Sequence, residues 1–507
     1  MTLPVEDVGR DWLRHPDIMI PQFAVPRFLR QPAPLALLVL AALAGCSMTP
    51  TYQRPTTSVP ASFGASSAAA AAPADEGGAS AVATLTTQEQ AFVQAFAPDR
   101  DLRPLLERAL AHNADFRRAA LQVEQARAQY RIERAGQLPT LGLGAQQLRQ
   151  RFDNPALDQR YQQDLVVANA GIGNFELDFF GKLQALSEAA RERYLASDYG
   201  RQAARGALIA EVLRAYTSER TTAQAQQQLQ TLDADSAALL AIAERQLQVG
   251  LISRDQLDAQ RRQADQAHVA ALQGDADHAA ALRALHVLAG YDSAPVAGSL
   301  DALASADRPS SAWRNLDSSL LLQRPDVQQA ESELRAANAD IGAARAAFFP
   351  SITLSSSFGT ASDGLSGLFT AGHGMWSFMP KLELPLFDGG RNRANLELAQ
   401  LRKRADVAAY EQTIEAAFRE VADALDAHAT ACVAEPRARA QAERERLRVQ
   451  RLQQRVDAGL EDRTTLLSER LRATQSQLDY LTSARQRVYG RIALFQSFYG
   501  VSLPTQS

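Results

Sequence analysis

The chain has few of the residues from which catalytic and metal sites are built. Its 507 residues include two cysteines, Cys46 and Cys432, so there is no disulfide framework. The seven histidines are scattered, with no HExxH and no His/Cys cluster at metal-ligand spacing. Five methionines are too few for a relay of soft-metal sites, and Met375 and Met379 read as strand residues. Gly142/Gly144 and Gly171/Gly173 form GxG pairs, but the position three after Gly173 is Glu176, and neither pair completes a dinucleotide fingerprint. Neither GxSxG nor GxxxxGK[ST] occurs. The expectation is a protein that is not an enzyme and holds no cofactor or metal. Aromatics are only 7 % of the chain, which suits long helices better than a globular core. A formal net charge of −4 gives no reason to expect nucleic-acid binding.

What the chain does have, it has twice. Residues Ala135–Lys182 and Ala346–Asn392 each pass from a helix through a proline into a strand, a polar loop, a second strand and another helix. Pro139 matches Pro350 (350 − 139 = 211), Glu176 matches Glu383 (383 − 176 = 207) and Gly250 matches Gly459 (459 − 250 = 209). A repeat of this length is a duplicated half-molecule, not a solenoid unit. Four short strands cannot close a barrel, and an open sheet edge cannot sit in lipid. If these strands meet a membrane, the chain must oligomerise.

The N-terminus reads as a targeting segment. Arg27 and Arg30 precede the apolar run Ala33–Ala44, which is too short to span a bilayer and ends Leu43-Ala44-Gly45-Cys46. The ending resembles a bacterial lipoprotein signal, in which the cysteine thiol is acylated and the cysteine becomes the new N-terminus. Ser47, where retained lipoproteins have Asp, resembles sorting to the outer membrane. Met19 would give a signal of ordinary length, whereas Met1 gives an unusually long one. The alternative is an ordinary secretory signal with a chance cysteine. Thr49–Pro60 is proline-rich and is expected to be extended, and Gly64–Ala83 reads as a flexible linker.

Helical character dominates from Asp101. One helix is predicted over Asp101–Gln137, closed by Pro139, and a second over Lys182–Val249, about 100 Å long at ~1.5 Å per residue. Ser253 with Gln256 forms a capping box for a third, running to about Ala289. In the second copy, Pro325 and Asp326 open a helix ending near Phe349. Arg391–Asp457 is the long helix, with a kink expected at Pro436, and Asp462–Phe495 is the return helix. Each long helix matches two shorter ones laid end to end, one near the strands and one near a tip at Gly250 or Gly459. Leu467, Leu471, Leu478, Leu481, Val488, Ile492 and Phe495 follow a coiled-coil seam, as do Ile414, Phe418, Val421 and Leu425. No other segment looks rich enough in apolar residues to receive them.

The strands alternate. Trp376, Phe378, Leu382, Leu384 and Leu386 share one face, with Ser377, Lys381 and Glu383 on the other. Ile352, Leu354 and Phe358 oppose Ser351, Thr353, Ser355 and Ser357. Leu165, Val167, Phe175, Leu177 and Phe179 are expected on one face, opposite Asn174, Glu176 and Asp178. Such alternation fits any half-buried sheet, and also a transmembrane barrel. The signal and the flanking helices favour the barrel.

Four stretches together resemble the TolC-like outer-membrane efflux family, in its lipidated NodT-type branch, over about Cys46 to the C-terminus. The most specific is Leu321-Leu322-Gln323-Arg324-Pro325-Asp326-Val327, continuing through Ala337-Asn338 and Ile341-Gly342 to Phe348-Phe349-Pro350-Ser351. Phe175–Gly181, Leu384–Gly390 and Phe418–Leu425 are the others. The resemblance implies a mainly α fold with a small transmembrane β part. Three chains would pool four strands each into a twelve-strand barrel, above a hollow coiled-coil helical tube with a closed tip. It implies a homotrimer in outer-membrane lipid, with covalent lipid at Cys46 and the tip docked on a periplasmic adaptor. The adaptor would in turn bind an inner-membrane pump of the resistance-nodulation-division type. The expected division is 1–45 signal, 46–100 anchored extended segment, 101–300 first repeat, 301–500 second repeat and 501–507 tail.

Two turns resemble the family's adaptor-docking tips: Val249, Gly250, Leu251 and Ser253 in one copy, and Ala458, Gly459 and Leu460 in the other. The gate departs from the family pattern. An aspartate is usual about nine residues after the second glycine; Ser468 stands there, with Glu469 next and Thr464 at the apolar gate position. Either Glu469 replaces the aspartate, or closure uses pairing among Arg254, Asp255, Asp258, Asp462, Arg463 and Arg470. In a threefold tube each would form a ring. A passive conduit for small molecules is the leading reading. A type I protein-secretion outlet, or a structural lipoprotein crossing the periplasm, stands as the alternative.

Overall fold

The computed structural model describes residues 84–96, 102–154, 159–290, 300–305 and 317–501. Cys46, the proline-rich stretch, the Gly64–Ala83 linker and the tail from 502 lie outside them. The elements are α1 (Thr87–Phe96), α2 (Leu102–His112), α3 (Ala114–Ala135), β1 (Leu141–Asn154), β2 (Gln159–Leu177), α4 (Lys182–Gln248), α5 (Arg254–Ala289), α6 (Leu300–Ser305), α7 (Pro325–Ala346), β3 (Ser351–Ser362), β4 (Gly374–Glu383), α8 (Arg391–Asp457) and α9 (Arg463–Ser497).

The two long helices, α4 and α8, have 67 residues each, about 100 Å of axis. α4 packs along α3 and α5, and α8 packs along α7 and α9, as the lengths require. α4 also packs against α7 and α9, which places the helices side by side with α3/α5 at one edge and α8 at the other. α8 continues through Pro436. The predicted Asp101–Gln137 helix is two helices. Asn113 breaks it, its Oδ1 accepting the Phe116 N–H at 3.0 Å as an N-cap. α1 lies where only linker was read. Thr86 and Glu89 form its capping box, with Glu89 Oε2 accepting the Thr86 N–H at 2.7 Å.

The main core sits at the waist, another departure from the sequence reading. α1, α2 and α6 pack over the middle of α4 and α9, burying Phe96, Leu106, Leu213, Tyr216, Leu303 and Ile492. These short helices supply the apolar surface that the coiled-coil reading leaves out. On α8 the seam is also different: the buried residues are Ala399, Ala417, Ala424, His428, Ala431, Glu435 and Ala442, while Phe418 is exposed. Alanines let the helices approach closely, and Val421 and Leu425 of the expected seam are half-buried against Ala424, Leu494 and Phe498, while Phe418 is left on another face.

Polar groups brought into the waist are paired. Arg205 donates to both Glu89 oxygens at 2.8 Å and to the Thr84 carbonyl, and the Tyr499 hydroxyl donates to Glu89 at 2.7 Å. Burial opposes Glu89 ionisation, but Arg205, the Thr86 N–H and Tyr499 outweigh it and hold the carboxyl below its ordinary value. Two of the matching stretches also meet here. Arg324 donates to Asp326, to Glu420 at 2.8 Å and to the Ser497 carbonyl, tying the start of α7 to α8 and α9.

The four strands form one antiparallel sheet in the order β1-β2-β3-β4, with β1 and β4 at its edges. Phe358 lies opposite Trp376, Ser357 opposite Ser377 and Ile352 opposite Leu382, as the alternation requires. The β2 expectation is corrected. Ile172 pairs with Ser356 but Phe175 with Leu354, so β2 carries an extra residue, with Asn174 at φ 52°. This bulge, pinned by the Asn174 N–H donating to Ser355 Oγ at 3.1 Å, reverses the parity of the strand. Val166, Ala168, Ala170 and Ile172 therefore share the face of Phe175 and Leu177, while Leu165 and Val167 lie on the other.

Candidate functional site at the helix tips

Both tips are the same motif. At the end of α4, Gly250 takes φ +74°; its N–H donates to the Leu247 carbonyl at 3.0 Å and the Leu251 N–H to Gln246 at 2.8 Å. At the end of α8, Gly459 takes φ +71°, with Gly459 N–H to Val456 at 2.9 Å and Leu460 N–H to Arg455 at 2.8 Å. These are Schellman closures, which consume the last helical carbonyls and turn the chain sharply. A Cβ at either glycine would meet nothing within 4 Å, so glycine is required there by φ, not by space.

The following helices are capped by side chains. Ser253 Oγ accepts the Gln256 N–H at 3.2 Å, and Gln256 Oε1 accepts the Ser253 N–H at 2.8 Å. Asp462 accepts the Thr465 N–H at 2.8 Å and its hydroxyl at 2.7 Å. The Thr465 N–H keeps the Asp462 carboxyl below the usual aspartate range. Between these fixed ends, Val249, Leu251 and Leu460 are 71, 72 and 70 % exposed, so apolar groups are presented outward from rigid turns.

The gate candidates separate into three kinds. Glu469 is only 8 % exposed and accepts from Arg448 on α8 at 3.1 Å and from Arg472 at 3.0 Å. Arg470 pairs with buried Asp235 of α4 at 3.0 Å, joining the two repeats. Burial raises the Asp235 carboxyl, with Arg470 opposing. Asp258 meets Arg261 at 3.6 Å. Ser468 is exposed and donates to the Thr464 carbonyl at 2.9 Å. Arg254, Asp255 and Arg463 are exposed and form no ion pair among the described residues. Sequence reasoning missed Asp235, which reaches Arg470 from the other repeat, and Arg448, which meets Glu469 only when α8 and α9 lie side by side; Arg472, three residues after Glu469 on the same helix, was legible and passed over. Among the described residues no cluster of three His, Cys, Asp or Glu could hold a metal, and no helix is long and apolar enough to cross a membrane.

A long two-repeat helical body, a four-strand sheet with open edges and two glycine tips define an outer-membrane channel subunit. The family model described as "Outer membrane efflux protein" matches residues 105–291 and 316–498, and the chain belongs to that family. Outer membrane protein OprJ of Pseudomonas aeruginosa is 38 % identical over 92 % of this chain and 95 % of its own. The probable outer membrane lipoprotein SilC of Salmonella typhimurium is 37 % identical over 77 % of this chain and 82 % of its own. The open-state crystal structure of the MtrE outer membrane channel of Neisseria gonorrhoeae superposes with a TM-score of 0.70. It is 30 % identical, covering 91 % of this chain and all of that one. The protein is therefore an outer-membrane efflux channel with a helical extension in the periplasm, not an enzyme. Its family forms trimeric channels acting with efflux pumps, and its homologues include lipoproteins.

Proposed function

We propose that three copies close edge to edge, are anchored by lipid on Cys46, and conduct small molecules passively from a periplasmic adaptor and a resistance-nodulation-division pump. One observation carries the closure. The large apolar side chains left exposed on the long helices all lie on the two edges: Leu121 and Ile132 of α3, Val269, Leu272 and Val287 of α5, and Leu398, Leu401, Phe418, Val433 and Leu447 of α8. None lies on α4, α7 or α9. A face rich in such groups calls for a partner. α8 of one copy against α3 and α5 of the next satisfies both edges, and the same rotation pairs β4 with β1. The exposed leucines of the two tips are the adaptor contacts, and the unpaired Arg254, Asp255 and Arg463 are free to pair between copies at the closed end.

The lipid assignment rests on the signal sequence and on the lipoprotein relative. Cargo would be drugs and other toxic small molecules, with selection made by the pump. Purified lipidated protein should run as a trimer in detergent and give small gated conductance steps in a planar bilayer. A monomer with no conductance would overturn the reading.

A further inference from the structure

A groove of about 500 Å³ runs between α4, α5 and α9 in the tip half. It lies on the side of the helical layer away from the waist core. At about 100° per residue, Leu232, Ser236 and Leu239 sit roughly 175° around α4 from Ile209, Val212 and Tyr216. On α9, Ser468, Arg472 and Gln475 sit roughly 160° from Ala484, Val488 and Arg491. Those second sets bear the packing of α1, α2 and α6, with Arg491 donating to the Leu303 and Ala95 carbonyls. A tube can carry such added helices only on its outside, so the groove opens to the lumen, an assignment that rests on the conduit reading above.

The groove has an apolar floor, Leu232, Leu239 and Leu471, and a polar rim that includes Gln266, Ser468 and Arg472. Its charge is one-sided. Arg448 and Arg472 share the single carboxylate of Glu469, and that carboxylate is buried while the arginine side chains are 53 and 58 % exposed. Arg451, about one turn nearer the tip on α8, has no carboxylate partner among the described residues. The next carboxylate along this face of α9, Asp479, is about 10 Å further from the tip and accepts the Gln475 amide at 3.1 Å. Ser468 adds an exposed hydroxyl to the rim.

We propose that this groove is a binding site for amphipathic anions and makes the tip half of the lumen favour anions over cations. A carboxylate or other oxyanion would lie against the Arg472 guanidinium, with the Ser468 hydroxyl joining it on turning from the Thr464 carbonyl, and with its aliphatic part on the three leucines. Threefold repetition turns the excess positive charge of each copy into a ring around the passage.

The test is the reversal potential of the reconstituted full-length channel in a potassium chloride gradient, with octanoate and octyltrimethylammonium compared as blockers from the tip side. The wild type should favour chloride, and octanoate should block at lower concentration than the cation, although the tail of the cation is one methylene longer. Arg472→Gln, which leaves Glu469 its Arg448 partner, and Ser468→Asp, at an exposed position, should each shift the reversal potential toward potassium and reduce the octanoate advantage. A trimeric, conducting wild type that favours potassium, or one whose reversal potential neither variant moves, overturns the site and leaves the conduit reading intact. A protein that neither trimerises nor conducts overturns both.

Discussion

The waist and the tip half are built from the same helices but held by different forces. At the waist, α1, α2 and α6 add an apolar layer, and charged groups are buried in closed sets such as Glu89–Arg205–Tyr499. In the tip half the seams are thin. Leu239, Leu467 and Leu471 form a small separate cluster, and the ion pairs there join half-exposed arginines to buried acids. The difference places stability in the middle of the molecule and leaves the far end with interactions that can be exchanged between neighbours. An end that opens and closes needs that arrangement.

The strongest way to break the contrast is Arg205→Ala, which strands the buried Glu89 carboxylate. A loss of about 3–5 kcal/mol at the waist is expected, read as early protease cleavage of α1 and a lower unfolding temperature. Leu481→Ala, in the waist core at 1 % exposure, should cost about 2–5 kcal/mol in thermal or denaturant unfolding. Glu89 makes the waist acid-sensitive as well. Its folded pKa is lowered, so its contribution is complete above the ordinary glutamate value of about 4.3 and fades as pH falls through the lower folded value. Glu89→Gln should flatten that part of the pH–stability curve.

At the tips the effects should be local and smaller. Gly459→Ala keeps ample space but must hold φ +71°, at about 1 kcal/mol. Faster amide exchange in the last turn of α8, with the waist unchanged, is the expected result. Leu251→Ser with Leu460→Ser should leave stability within about 0.5 kcal/mol and weaken adaptor co-purification, if the tips dock as proposed.

Helix ends were legible at the glycine tips and at the strongest caps, but not at Asn113, whose N-cap divides a segment read as one helix. Gly250, Gly459, Ser253 with Gln256 and Pro325 each mark a boundary that the fold keeps. The α1 helix had a readable signal in Thr86 and Glu89, hidden by the alanine-rich linker before it. The β2 parity change was harder to read. Gly173-Asn174 permits a bulge, but only pairing with Ser355 and Ser356 requires one. The α8 seam was legible in part: Val421 and Leu425 do pack beside Ala424, but Phe418 is exposed, and close helix packing selects Ala417, Ala424 and Ala431, which a pattern of large apolar residues does not show. Of the two partners of Glu469, Arg472 could be read from its i,i+3 spacing, whereas Arg448 reaches it only once α8 and α9 are side by side.

Electron cryomicroscopy of the purified protein in lipid nanodiscs tests the central claim most directly. The account predicts a threefold particle in which α8 of each copy lies against α3 and α5 of the next and twelve strands form one closed barrel. A monomeric particle, or an assembly in which α4, α7 or α9 faces the neighbouring copy, would contradict it.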